Sequence, residues 1–401
     1  MSIVMPTVES DNAVNGTVVN GNHVNNRING VAGLVHAGLA PVEVVREWIA
    51  VPAGVKNSWA TGKLTRKLGK ATSELRFQSS SVLPEVGDCV LVKITKVANH
   101  SRMFTDDNQY SRVYQNDYII GVLGTRYATD AYHATKIDVA NLHMLTNGGL
   151  LGTVCDSHNS MKNPTKVELV GYLCDDGGVR INFKEVLFRR AQQFPADIHP
   201  VFIVGTGMNS GKTTSTARLG QALASQGLRV AILKLTGSAS HRDIHEFNAT
   251  GAAFAADFSD YGFPSTYLTT LAELEGLYGR MLNDAAAVSP DIVLIEIADG
   301  VYQRETEALL NSSVIRSSAS GVVLTAACAA SAIAIDQSVK RMGWDPIAVT
   351  GLITNAPLFV QEFSDRSETP VCDTGKGILE TCRLIMSRVR SRKLAAVSTS
   401  V

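Results

Sequence analysis

A chain of 401 residues with 45% apolar content is long enough to bury two cores of ordinary size. Its 37 basic and 37 acidic residues cancel, which argues against a surface given over to nucleic acid or to an anionic membrane. Six scattered cysteines form no C-x-x-C pair, no apolar run reaches the roughly 18 residues of a spanning helix, and Glu9 and Asp11 interrupt any secretory signal pattern, so a cytoplasmic protein without a disulfide framework is expected.

Along the chain, residues 1–40 are expected to be a flexible arm. Asn12, Asn15, Asn20, Asn22, Asn25, Asn26 and Asn29 sit among Gly and Val, with too little apolar surface to offset ordering entropy. Residues 40–50, with Pro41 near the start, predict a short amphipathic helix. It opens a helical and basic linker over 41–81, where Lys56, Lys63, Arg66, Lys67, Lys70 and Arg76 face only Glu74. No nucleic-acid motif accompanies these charges, and a solvated helix face accounts for them. Residues 82–192 predict a β-rich domain, a small barrel or sandwich. Its strands fall at 90–94, 118–123 and 167–173, with a turn at Asp175–Gly178 leading to another strand near 179–183. From 198 to 395 short apolar runs at 201–205, 229–235, 291–298, 321–326 and 348–354 alternate with helical stretches. The fold class expected is therefore α/β: a mostly parallel sheet flanked by helices, preceded by the smaller β-rich domain and the arm.

The chemistry concentrates where the first of these runs ends. Val201 to Val204 lead into Gly205, Thr206, Gly207, Met208, Asn209, Ser210 and Gly211, followed by Lys212, Thr213 and Thr214. A buried strand, a glycine-containing loop and a helix start in that order form a phosphate cradle. Loop and helix N–H groups point at the phosphates, and glycines let the backbone approach. Lys212 supplies charge for the β- and γ-phosphates, and the Thr213 hydroxyl suits magnesium. The usual G-x-x-x-x-G-K-T would begin at Thr206; the glycines here stand at 205 and 207 instead.

Further candidates follow at the ends of later strands, where an open parallel sheet faces its ligand crevice. Lys234 closes the second run and either meets phosphate or substrate or is a solvated strand-end lysine. Asp243 suits a second magnesium carboxylate or a helix N-cap. His241 and His245 have zinc-pair spacing, without an evident third ligand. Glu296 ends the apolar run 291–298 in the manner of a magnesium-holding acid, with Asp299 as a second possibility.

Taken together, the loop from Gly205 and Thr206 to Gly211, Lys212 and Thr213 resembles that of dethiobiotin synthetase and the cobyrinic acid amide synthases, in the branch of P-loop proteins that includes the MinD-type ATPases. The resemblance spans roughly 201–375. It implies a lysine at Lys234, a magnesium set of Thr213, Asp243 and Glu296, and adenine held near Asn355 and Pro357, with Thr369–Val371 closing over the base. It also implies a homodimer. The departures are Gly207, where the family has aspartate, and Ile297–Gly300 in place of a glycine-rich loop that forms part of the substrate site. The β-rich half has no counterpart.

The expected function is a magnesium- and ATP-dependent ligase-like enzyme. It would activate a carboxylate or similar acceptor on a small molecule, with Lys212, Lys234 and Glu296 as catalytic residues. The alternative is a nucleotide-dependent switch or adaptor acting on a protein partner.

Overall fold

The computed structural model describes residues 47–190, 195 and 197–398. The expected arm and the start of the expected 40–50 helix lie outside them. Residues 47 onward belong to one compact unit containing two main sheets.

In the N-terminal half, the strands Lys166–Cys174, Cys89–Lys96, Tyr118–Leu123, Leu150–Gly152 and Leu142–Met144 pair in that order. The last pairs back onto the first at Lys166↔His143 and Val167↔Leu142, so the ladder closes into a small barrel. Period-two alternation explains its two faces. Val90, Val92, Ile94, Ile119, Leu142 and Leu151 fill one cluster, while Cys89, Leu91, Ile120, Val122 and Leu150 join another that reaches the second half through Ile203 and Leu219.

The basic stretch contributes the helix Trp59–Leu68, capped by Ser58 and ended by Gly69 at φ 64°. Its Trp59, Ala60 and Leu64 are buried, and Lys63 reaches across to Asp257 at 3.0 Å and Asp260 at 2.7 Å. Two local expectations change. Trp48–Ile49, within the expected helix, is a strand against Arg76–Gln78, because an aromatic and a β-branched residue fit that open edge. The expected strand near 179–183 shrinks to isolated bridges at Arg180 and Asn182, since Asn182 caps the helix Phe183–Leu187.

The second sheet is wholly parallel, in the order Phe254–Asp257, Val230–Lys234, Ile292–Glu296, Val201–Gly205, Gly321–Thr325, Pro346–Thr350. Helices cover both faces, so its strands read as continuous apolar runs. Phe254–Asp257 is an edge strand that its two alanines concealed in the sequence. The last run is strand only over Pro346–Thr350; Leu352–Asn355 turns as a 3₁₀ helix. Thr369–Val371 adds one bridge, Val349↔Val371. Val201–Gly205 lies between the fourth and fifth strands in chain order, so its loop opens at the point where successive connections diverge. Among the described residues no helix is long and apolar enough to cross a membrane.

Candidate nucleotide site

The loop 206–211 joins Val201–Gly205 to the helix Lys212–Ser225. Gly205 is sterically required: a Cβ there would stand 2.2 Å from Ser210 Oγ and 2.6 Å from Thr325 Oγ1. Gly207 is not, since nothing lies within 4 Å of its Cβ position. This explains how the glycine pair can depart from the usual spacing. Gly211 takes φ 99° and Asn209 φ 59°, the left-handed turn that delivers the chain to the helix start. Ser210 Oγ and Thr325 Oγ1 share a 2.9 Å hydrogen bond, tying the loop to the next strand. Thr206, Gly207 and Met208 are half-buried and Thr214 is exposed.

Lys212 is buried, and its Nζ donates to the Gly207 carbonyl at 2.7 Å, arching back over the loop. Burial lowers its pKa against the opposing pull of Glu296 and Asp299. Beside it, Lys234 donates to Glu296 Oε1 at 2.9 Å and also bonds Asp243. Burial disfavours the Lys234 ammonium, yet Asp243 and Glu296 outweigh it and hold its pKa above the lysine range. Asp243 is likewise held below the usual carboxylate range: burial works against this, and Lys234 overcomes it. Thr213 Oγ1 donates to Glu296 Oε1 at 3.1 Å. The structure thus brings Thr213, Lys234, Asp243 and Glu296 into one cluster at the mouth of the loop.

Glu296 Oε2 is buried with no hydrogen-bond partner. A buried carboxylate oxygen without a donor is costly, and a cation beside the Thr213 hydroxyl satisfies it. The donor set therefore fits magnesium in the P-loop manner, where phosphate and water supply the remaining ligands. Among the described residues no group of three or more His, Cys, Asp or Glu forms a metal cluster. His241 stacks its ring on Phe104 at 3.6 Å and bonds Tyr110 through Nε2 at 2.9 Å, which leaves Nδ1 buried without a partner.

Asn355 ends the turn Leu352–Asn355, and Pro357 opens the helix Pro357–Ser364; both are exposed. That turn is seated on the loop, since a Cβ on Gly351 would lie 2.4 Å from the Ser210 carbonyl.

Sequence reasoning named no residue of the β-rich half at this site. Asp130 accepts from Asn209 Nδ2 at 2.5 Å, so the segment 126–134 touches the phosphate loop directly. Thr125 Oγ1 donates to the Tyr267 carbonyl at 2.9 Å, and His133 Nε2 lies 3.1 Å from Tyr267 Oη. Asp299 is half-buried, and Gly300 is pressed against Thr206. Burial raises the Asp299 pKa, opposed by Lys212, Lys234 and Arg126. Nothing local in Arg126, Tyr127 and Asp130 marks them, because their role depends on a barrel loop meeting a distant sheet.

Residues 201–392 match the family model described as the CobQ/CobB/MinD/ParA nucleotide binding domain. No curated protein matches the chain in sequence. Among solved structures, the chain is similar to the signal recognition particle receptor FtsY from Elizabethkingia anophelis, at 15% identity and TM-score 0.34, over 52% of this chain and 74% of that one. It is similar to the hydrogenase maturation factor HypB from Archaeoglobus fulgidus, at 14% identity and TM-score 0.33, over 48% and 91%. The 54 kDa signal recognition particle protein from Aeropyrum pernix K1, in complex with GDP, gives 16% identity and TM-score 0.34, over 54% of each chain.

Proposed function

Residues 201–392 being a P-loop nucleotide-binding domain of the CobQ/CobB/MinD/ParA kind, we propose that the protein is a magnesium- and ATP-dependent enzyme that activates a carboxylate on a small molecule. The observation that carries this reading is the contact of Asp130 with Asn209, which gives the phosphate loop a wall built from the chain's own β-rich half. A second element beside the loop suits an acceptor held near the γ-phosphate.

In this reading an acceptor carboxylate oxygen bonds to the γ-phosphorus while the bond to the β-bridging oxygen breaks, and ADP leaves with that electron pair. An amine or other nucleophile then displaces inorganic phosphate from the acyl phosphate. Lys212 and Lys234 meet the charge that gathers on the phosphoryl oxygens. Thr213 and Glu296 would hold magnesium, which neutralises β- and γ-phosphate charge when bound. Asp243 fixes Lys234, and the turn at Asn355 and Pro357 would border the base.

The test is ADP release by the purified protein with magnesium-ATP, alone and with a panel of small carboxylic acids. Stimulation by an acid supports the enzyme. Failure of every acid, with a change of assembly on adding nucleotide, supports a second reading. That reading is a switch acting on a protein partner or a second copy, and it is favoured by one specific feature. Leu352, Leu358 and Phe359 leave apolar surface beside the turn that sits on the loop, Leu358 being 71% exposed.

A further inference from the structure

The strand Gly321–Thr325 ends at the phosphate loop, where Thr325 bonds Ser210. Its first residue, Gly321, lines a cavity of about 320 Å³. At about 3.3 Å of rise per residue, the two ends of that strand lie about 13 Å apart. The cavity is therefore separate from the nucleotide site.

Arg316, Arg388 and Arg392 line it, and Asp345 is the one acidic residue of the lining. Arg316 comes from the helix Ser313–Ser318. Arg388 and Arg392 come from the helix Ile378–Ser398, four residues apart and so on one face. Each guanidinium is held through one nitrogen. Arg316 Nη1 donates to the Met342 carbonyl at 2.6 Å, Arg388 Nη1 to Asp345 Oδ2 at 2.7 Å, and Arg392 Nη2 to the Ser317 carbonyl. Gly343, at φ 83°, lets Arg316 lie close over the chain: a Cβ there would stand 3.1 Å from Arg316 Nη1. Trp344, fixed by its own bond to the Leu310 carbonyl at 2.8 Å, adds an apolar wall.

One arginine on a helix-end carbonyl is ordinary capping. Three around one cavity, with a single carboxylate, leave two positive charges uncompensated in the lining of a chain that is neutral as a whole. A guanidinium has five N–H donors, so each keeps several beyond the one that anchors it.

We propose that this cavity binds a phosphate group, free or carried on a small molecule. A phosphate monoester brings close to two negative charges and three acceptor oxygens. That matches the surplus charge and the three guanidinium forks, whereas a monocarboxylate meets only one of the two charges. The site does not depend on the proposed function.

The experiment occupies the phosphate loop of the full chain with magnesium and excess non-hydrolysable ATP analogue. Inorganic phosphate, glycerol 3-phosphate and acetate are then titrated by calorimetry in low-salt buffer. At least one phosphate compound should bind at one site per chain, and more tightly than acetate. A tighter ester identifies a phosphorylated small molecule as the occupant, and a tighter inorganic phosphate identifies the free ion; either supports the proposal. Arg316→Met and Arg392→Met should each weaken binding about ten-fold or more, the scale of one hydrogen bond to a charged group. Arg392→Lys keeps the charge without the planar fork and should recover only part of the loss. Melting curves check that the variants fold. Arg383→Met is the control for net charge, since that exposed arginine of the same helix pairs with Glu380 outside the cavity. Its affinity should stay within about two-fold of the wild type, because an exposed pair contributes little. Failure of the wild type to bind either phosphate compound overturns the proposal, as does full binding by both methionine variants. An equal loss in Arg383→Met overturns it in favour of diffuse charge. A DNA duplex that binds through Arg316 and Arg392 where the phosphate compounds fail overturns it in favour of an extended polyanion surface.

Discussion

Each half of the molecule holds a cation with its polar atoms out of solvent, and the two are compensated in opposite ways. In the P-loop half, Lys234 is bonded to both Asp243 and Glu296. In the β-rich half, Arg126 has a carbonyl and two distant carboxylates. The first is a finished electrostatic cluster that holds its geometry before anything binds. The second is an incomplete one, with no carboxylate among the described residues within ion-pair distance and only Asp299 and Asp130 acting at longer range. Preassembly suits the part that meets a constant ligand, the phosphate chain.

The largest effect expected is on nucleotide binding. Lys212→Ala removes the ammonium that arches over the loop, and calorimetry with magnesium-ATP should show binding lost altogether. Unchanged affinity would dissolve the comparison, because the cluster would then not be a phosphate site.

The comparison itself is tested by removing each cation. Lys234→Met leaves two carboxylates facing each other in a buried setting, and breaking a buried pair in this way costs about 3–5 kcal/mol. Arg126→Met removes a charge that has no paired partner, so unfolding stability should be unchanged or slightly higher. Denaturant melts of the two variants decide it: equal losses would mean that Arg126 is structurally paired after all.

Glu296→Gln has a smaller expected effect. It keeps the shape and the Thr213 contact while removing the charge that suits a metal. The magnesium concentration for half-maximal nucleotide binding should rise about ten-fold or more, since hydrogen bonds to charged groups are each worth about 1.5–3 kcal/mol. A collapse of melting temperature without any change in magnesium response would make Glu296 a structural partner of Lys234.

This contrast also explains what could be read from the sequence. The phosphate loop, Lys234, Asp243 and Glu296 were legible because a parallel sheet delivers every strand's carboxyl end to one edge, so linear position stands in for location. The barrel strands at 90–94, 118–123 and 167–173 were legible from β-branched runs. The ring closure of Leu142–Met144 onto Lys166–Cys174 was not, because it depends on register between separate segments. Arg126 and Asp130 were hidden for the same reason. Gly207, already a departure from the usual pattern in the sequence, is free of close neighbours, whereas Gly205 is constrained by Ser210 and Thr325 and Gly211 by its backbone angle.

The mildest prediction concerns the seam between the halves. Phe104 of the barrel stacks on His241, which opens the helix His241–Asn248 carrying Asp243. Burial, with His245 and Arg242 adding to it and Asp243 opposing, pushes the His241 pKa down to about 4; Tyr110 supplies its hydrogen bond. His100, buried near Arg126, is also pushed down to about 4. Both folded values lie below the unfolded histidine value of about 6.5. As the pH falls through about 6.5 the unfolded chain takes up protons that the folded one refuses, so stability drops until about pH 4 and then levels. Melting temperature should therefore fall between pH 7 and pH 5, with a shallower slope in His241→Gln, which keeps a polar partner for Tyr110 but cannot titrate. An identical slope in the variant would mean that the seam accepts the charged ring, and that the helix bearing Asp243 is not held by a neutral His241.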